Sequence, residues 1–148
     1  MKWIYKSYEE LTTQELHDII KARMDIFVVE QNCPYPEVDG YDPEANHLWL
    51  EDENGQVIAY CRLFMSGVKY NEASIGRILV LKEMRGKEYG KELMTKALSV
   101  IKDQFGEKAV KIQAQEYLLD FYGSFGFEGV TETYLEDGIP HVDMVLHY

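Results

Sequence analysis

The chain has 148 residues, 46% of them apolar and 28% charged, and a formal net charge of -11 at pH 7. That length suits one domain with its own core, and such acidity disfavours polyanionic partners, so nucleic acid and anionic membranes are excluded as expected partners. No apolar run reaches the roughly 18–20 residues that cross a bilayer, and the N-terminal MKWIYKSYEEL lacks the apolar core and cleavage site of a signal peptide. Two cysteines, Cys33 and Cys61, are too few for a disulfide framework or a zinc site. The expectation is a cytoplasmic protein, one domain over residues 1–148, with reduced thiols and no metal centre.

In chain order, KWIYKSY (2–8) is rich in β-formers and predicts a first strand. Thr12 and Glu15 have capping-box spacing, and Leu16, Ile19, Ile20, Met24 and Phe27 follow at helical intervals, which predicts a helix over 12–27. Pro34, Pro36, Gly40 and Pro43 make 32–46 a loop, long enough that a function is expected of it. HLWLED (47–52) and QVIAYCRLFM (56–65) flank Asn54-Gly55 and read as a hairpin. SIGRILVL (74–81) is a mostly apolar, central strand, and Leu93, Met94, Ala97, Leu98, Ile101 and Phe105 mark one face of a helix from 89 to 105. AVKIQA (109–114) is a strand and 116–123 a short helix. Strands near 129–135 and 141–147 flank a turn at Asp137-Gly138-Ile139-Pro140.

The order is βαβββαβαββ: an α+β fold with a mixed β-sheet and flanking helices. Because a helix joins the strands at 74–81 and 109–114, these should run parallel through a right-handed crossover.

The stretch LVLKEMRGKEYGKELM (79–94) carries Lys82, Arg85, Gly86, Lys87, Gly90 and Lys91 where that central strand becomes a helix. A helix start offers free N–H groups and a partial positive charge, and glycine lets a ligand approach the backbone closely. Together with these cations it suits a phosphate, and a pyrophosphate best. The alternative is a basic helix start on a solvated face, which the dipole disfavours unless an anion is bound. The spacing is neither G-x-x-x-x-G-K-[ST] nor G-x-G-x-x-G, so the usual nucleotide loops are excluded.

With these residues in view, ILVLKEMRGKEYGKELM resembles the acetyl-CoA-binding segment of the GCN5-related N-acetyltransferases (GNAT), whose signature is Q/R-x-x-G-x-G/A between a strand and a helix. Val80 would close the strand, Arg85 is the Q/R and Gly90 the last small residue, while Glu88 stands where the family has its middle glycine. LLDFYGSFGF (118–127) is similar to the family's later segment, with Tyr122 ahead of Gly126-Phe127 and Gln115 where an Asn is common. RMDIFVVEQNCPYPEVDGYD (23–42) and EDGIPHVDM (136–144) resemble the ElaA-like bacterial subgroup of that family.

The resemblance implies the GNAT (acyl-CoA N-acyltransferase) fold and transfer of an acetyl group from acetyl-CoA to a primary amine of a small molecule, with CoA as product. It implies that backbone groups of Ile78, Leu79 and Val80 pair with the pantetheine arm, the Val80 N–H polarising the thioester carbonyl. It implies that Arg85, Gly86, Lys87, Glu88, Tyr89, Gly90 and Lys91 hold the pyrophosphate, with Glu88 pointing outward, and that Gln115 and Tyr122 adjoin the cofactor. Tyr122 is the candidate general acid, since a phenol can protonate a departing thiolate. Glu30, His47 and His141 are candidate bases, and a water relay would make a base unnecessary. Phe27, Glu30, Tyr35, Glu37, Asp39 and His141 are expected to line the acceptor site, with Tyr41 a further aromatic; the acids would attract a protonated amine. Alternatively residues 28–46 form a packed Ω-like loop whose acids face water. Cys33 reads as a small buried residue.

Two other functions stay open at this point. One is a catalytically silent acyl-CoA-binding or sensor protein on the same fold, which Glu88 keeps in play. The other is an interaction module whose basic loop meets an acidic protein. A homodimer is also left open.

Overall fold

The computed structural model describes residues 1–148 and contains one twisted sheet flanked by three α-helices. The strands are β1 (Lys2–Ser7), β2 (Asn46–Glu51), β3 (Val57–Phe64), β4 (Ala73–Val80), β5 (Ala109–Gln115), β6 (Glu128–Gly129), β7 (Tyr134–Glu136) and β8 (Ile139–His147). The helices are α1 (Thr13–Arg23), α2 (Tyr89–Asp103) and α3 (Leu119–Gly123). The sheet runs β1-β2-β3-β4-β5-β8-β6, with β7 also on β8. All neighbours are antiparallel except β4 and β5, which are parallel as their helical connection requires. No helix is long and apolar enough to cross a membrane.

Local chemistry accounts for the element ends. Thr12 Oγ1 accepts from the Glu15 N–H at 3.0 Å and the Glu15 carboxylate accepts from the Thr12 N–H at 2.9 Å, a reciprocal cap that starts α1. Leu93, Met94, Ala97 and Ile101 form the buried stripe of α2. That helix packs on β2, β3 and β4, and α1 also reaches β3. Every residue of β3 is buried, as befits a strand deep within the sheet and touched by both helices.

Three expectations are corrected. The helix expected over 12–27 is α-helical only to Arg23; Met24–Glu30 widens into a π-helical segment, with Gln31 N–H bonding Ile26 C=O and Cys33 N–H bonding Val28 C=O, each five residues back. Its crowded Ile26-Phe27-Val28-Val29 run favours the looser turn, and such widenings recur at functional sites. The strand expected near 129–135 is two short pieces, β6 and β7. Tyr134 lies five positions after Gly129, while their partners Met144 and His141 on β8 are only three positions apart, so the ladder cannot continue between them. The final turn is the two residues Asp137 and Gly138, both at positive φ (51° and 78°), which tightens the hairpin and puts Ile139 and Pro140 inside β8.

Candidate active site

The site arises where two parallel strands part. β4 and β5 pair only at Ala73–Val110 and Ser74–Lys111. Beyond that, β5 stays with β8 over seven residue pairs, from Ala109–His147 to Gln115–His141. β4 stays with β3 but carries one extra residue: Gly76 faces Arg62 and Leu79 faces Tyr60, with Arg77 at φ 50° in the bulge between. The bulge bends β4, and a cavity of about 690 Å3 opens between the diverging strands.

Beyond Ser74 the edge of β4 that faces this gap has no strand beside it. Leu81 N–H donates to Ile58 C=O on β3 at 2.9 Å. Backbone groups alternate along a strand, so the Val80 N–H faces the opposite edge, toward the gap. The Val80 carbonyl on that same edge accepts from Arg85 Nε at 3.0 Å. Ile78, Leu79 and Val80 all line the cavity.

At the end of β4 the chain forms the mouth. The first helical bond of α2 runs from Glu92 N–H to Glu88 C=O at 3.1 Å, leaving the amides of Tyr89, Gly90 and Lys91 outside the ladder. Gly86 sits at φ 81°. A Cβ on Gly90 would lie 3.6 Å from Phe121 Cζ and 3.7 Å from Val80 Cγ2, in contact with both of these cavity-lining residues. Gly86, Lys87, Glu88 and Lys91 are exposed around this mouth. Glu88 caps α2 at φ 68°, a conformation that favours glycine, and its side chain is 73% exposed, 3.8 Å from Lys91 Nζ. Its carboxylate makes no capping bond to the helix amides. Free amides, a glycine gap and surrounding cations fit the diphosphate of an acyl-CoA.

Arg85 lines the mouth and is held by Glu30 Oε2 at 2.8 Å. Glu30 and Phe27 reach the cavity from the π-helical segment. Tyr122, on α3, is 5% exposed and lines the cavity against Phe121 and Phe127, with ring centroids at 5.2 and 6.2 Å. Burial pushes its phenol well above the ordinary range, so it stays protonated at neutral pH. Gln115 ends β5 opposite His141, and both line the cavity.

The histidines separate cleanly. His141 Nδ1 lies 2.7 Å from the Ile139 carbonyl, which can only accept, so Nδ1 carries the proton and Nε2 keeps a lone pair in the neutral ring. Tyr134 stacks on that ring at 6.1 Å. His47 is fully buried: Nε2 donates to the Asp42 carbonyl at 3.1 Å and Nδ1 accepts from the Tyr60 hydroxyl at 2.7 Å. Burial lowers its basicity, and both nitrogens are engaged away from the cavity.

The acidic loop does something the sequence reading did not foresee. Glu37 is 2% exposed, faces neither the cavity nor water, and bonds Arg23 at 2.8 Å, Arg77 at 2.7 Å and the Tyr35 hydroxyl. Asp42 bonds Arg23 at 2.7 Å and Arg62 at 2.9 Å. Asp39 lines the cavity but is clasped by Arg62 and, at 3.3 Å, by Arg77. Burial alone would raise the Asp39 carboxyl; bonds from Arg62 and the Tyr41 amide, with the charges of Arg62 and Arg77, outweigh it and hold it well below the usual range. Tyr35 lines the cavity beneath the Arg77 guanidinium, 5.5 Å from its ring centre. Tyr41 packs outside it, edge-on to Phe64 at 6.0 Å. Cys33 is buried at the wall, its thiol 3.5 Å from the Asp137 carbonyl.

Arg62, Lys69, Arg77 and Glu136 also line the cavity and were not anticipated. A signal existed for two of them. Arg62 interrupts the apolar run VIAYCRLF and Arg77 the run SIGRILV, and a charge inside a buried strand must have a partner.

Known proteins share both sequence and architecture with this chain. A family model described as an acetyltransferase (GNAT) domain matches residues 12–148. A UPF0039 protein of Schizosaccharomyces pombe is 42% identical over 147 residues, covering 99% of this chain and 97% of the relative. The Escherichia coli protein ElaA is 39% identical over 145 residues, 97% of this chain and 95% of its own; its crystal structure superposes with a TM-score of 0.90 over 99% and 100% of the two chains. An acyl-CoA N-acyltransferase from Pseudomonas aeruginosa gives a TM-score of 0.92 at 38% identity, covering 99% of each chain. The parted β4–β5 pair, the helix start at its end and these likenesses have one conclusion: the chain belongs to the GNAT acetyltransferase family.

Proposed function

We propose that the protein is an acetyl-CoA-dependent N-acetyltransferase whose acceptor is the primary amine of a small molecule. One observation carries this reading: a single cavity is lined by Gly90 at the start of α2, by Ile78, Leu79 and Val80 on the β4 segment that β5 leaves, and by Tyr35, Arg62 and His141. A diphosphate-bearing thioester and an amine could therefore lie end to end. The acceptor residues lie in a recess shared with the proposed cofactor site, which suits a small acceptor better than a folded protein surface.

Bound acyl-CoA would supply an activated acyl group. The protein's own contribution follows from its residues. The amides of Tyr89, Gly90 and Lys91 would bind the diphosphate. The Val80 N–H, fixed by its strand, would hold the carbonyl oxygen where negative charge develops. His141 Nε2 would take a proton from the acceptor amine, its ring held by the Ile139 carbonyl and Tyr134. Tyr122, a phenol protonated at neutral pH and lining the cavity, would give a proton to the departing sulfur. Phe27, Gln31 and Tyr35 would exclude water from the acceptor end.

Calorimetric titration with CoA, followed by thiol release from acetyl-CoA across an amine panel, tests the proposal. Binding with acceptor-dependent release is expected. Binding without release from any amine would favour a silent acyl-CoA sensor, and no binding at millimolar CoA would refute both.

A further inference from the structure

One wall of the acceptor end, toward β3 and β4, carries one cation more than it has carboxylates. Four cations gather there or just behind it: Arg23, Arg62, Arg77 and Lys69. Three carboxylates, Glu37, Asp39 and Asp42, are consumed by the three arginines. Lys69 lines the cavity and is half-buried; its Nζ lies 4.8 Å from the Tyr41 ring centre and 5.8 Å from that of Phe64, with no carboxylate within ion-pair distance. Burial, then the charge of Arg62, holds its ammonium below the ordinary range, with Arg77 adding to this and Asp39 and Glu136 opposing it. Arg62, another wall residue and 1% exposed, has the one buried side-chain polar atom without a hydrogen bond, its Nε. A buried donor left unpaired is costly, as is a desolvated cation without an anion.

The other wall has the opposite character. Glu136, Asp137 and His141 belong to the β7–β8 hairpin, across the β4–β5 gap from Lys69 in the β3–β4 connection. The cavity is thus bipolar: cationic toward β3–β4, acidic and basic-catalyst-bearing toward β7–β8.

We infer that the acceptor is a small amine that also carries a carboxylate, Lys69 receiving the carboxylate while the amine lies toward His141 and Glu136. This rests on the acetyltransferase reading for the amine end alone; the anion subsite is a property of the cavity and is measurable without chemistry. A pairing of Lys69 with the two aromatic rings alone would be a purely structural role, and it would leave acceptor preference untouched.

The test compares the proteinogenic amino acids with their C-terminal amides as acceptors for acetyl-CoA, in the wild type, Lys69→Met and Lys69→Glu. Lys69→Met keeps a chain of similar length, and melting curves check that each variant is folded. A charge-assisted bond predicts that at least one free amino acid exceeds its amide by about tenfold or more in kcat/KM, through KM. Lys69→Met should erase that ratio and Lys69→Glu reverse it. Taurine and phosphoethanolamine are included, and a preference for either over every carboxylate would overturn the assignment of the anion. Equal use of acids and amides, or a preference that survives Lys69→Met, would overturn the subsite.

A second arm titrates the same amino acids into CoA-saturated protein by calorimetry. Lys69-dependent binding with no acetyl transfer would uphold the subsite and sink the transferase reading. Absence of binding by every free amino acid would overturn the subsite itself.

Discussion

Arg23→Met probes the ion network that shapes the acceptor wall. The Arg23 side chain is fully buried; Nε donates to the Glu37 carboxylate at 2.8 Å, Nη2 to the Glu37 carbonyl at 3.1 Å and Nη1 to Asp42 at 2.7 Å. Removing one partner of a buried pair generally costs about 3–5 kcal/mol, because a charge is left uncompensated. Here Glu37 keeps Arg77 at 2.7 Å and Asp42 keeps Arg62 at 2.9 Å, so the loss should fall at the lower end, about 3 kcal/mol. For a chain of this length that is a drop in melting temperature of about 6–12 °C. Thermal unfolding at pH 7 reads it, and a double-mutant cycle with Asp42→Asn should show the two effects to be strongly non-additive. Arg23 lies outside the cavity, but Tyr35 and Asp39 are carried by the loop it pins, so KM for the acceptor should rise as well. A melting temperature within about 2 °C of wild type would refute the reasoning, since it would mean these charges are solvated rather than mutually neutralised.

The same network sets the acid limit. The Asp39 and Asp42 carboxyls would be raised by burial, but their arginine partners outweigh it and lower both, so their contribution is complete above the ordinary carboxylate range; unfolding midpoints followed by circular dichroism should fall progressively as pH drops below about 4. Tyr122→Phe should lower kcat about 100-fold while CoA affinity by calorimetry stays within about twofold; unchanged turnover removes the phenol from the mechanism. Glu88→Gly relieves a left-handed residue and should raise stability by up to about 1 kcal/mol by denaturant titration, whereas Glu88→Val, β-branched at the same backbone angle, should lower it.

Much of the donor half of the site could be read from the chain because it is made of local structure. A helix start after a strand exposes its amides wherever that succession occurs, so a basic, glycine-bearing mouth was legible from the residues, and the family resemblance singled out Val80, Arg85 and Gly90, which all line the cavity. The Asn54-Gly55 hairpin, the cap at Thr12 and the crossover helix were legible for the same reason: each depends on residues a few positions apart. The divergence of β4 from β5 was not, because it follows from one extra residue in β4 relative to β3, a register property of two strands rather than of either.

The proposed acceptor half belongs to tertiary structure. Glu37 and Asp39 look like amine-attracting acids in the sequence, and their charge is real. What decides their role is which arginines the fold delivers: Arg23 from α1, Arg62 from β3 and Arg77 from the β4 bulge. Charges act through space at a few ångströms, and Arg77 and Glu37 are 40 positions apart. Composition set the acidic balance of the molecule; only the folded arrangement determined that its cavity would have a lysine left over.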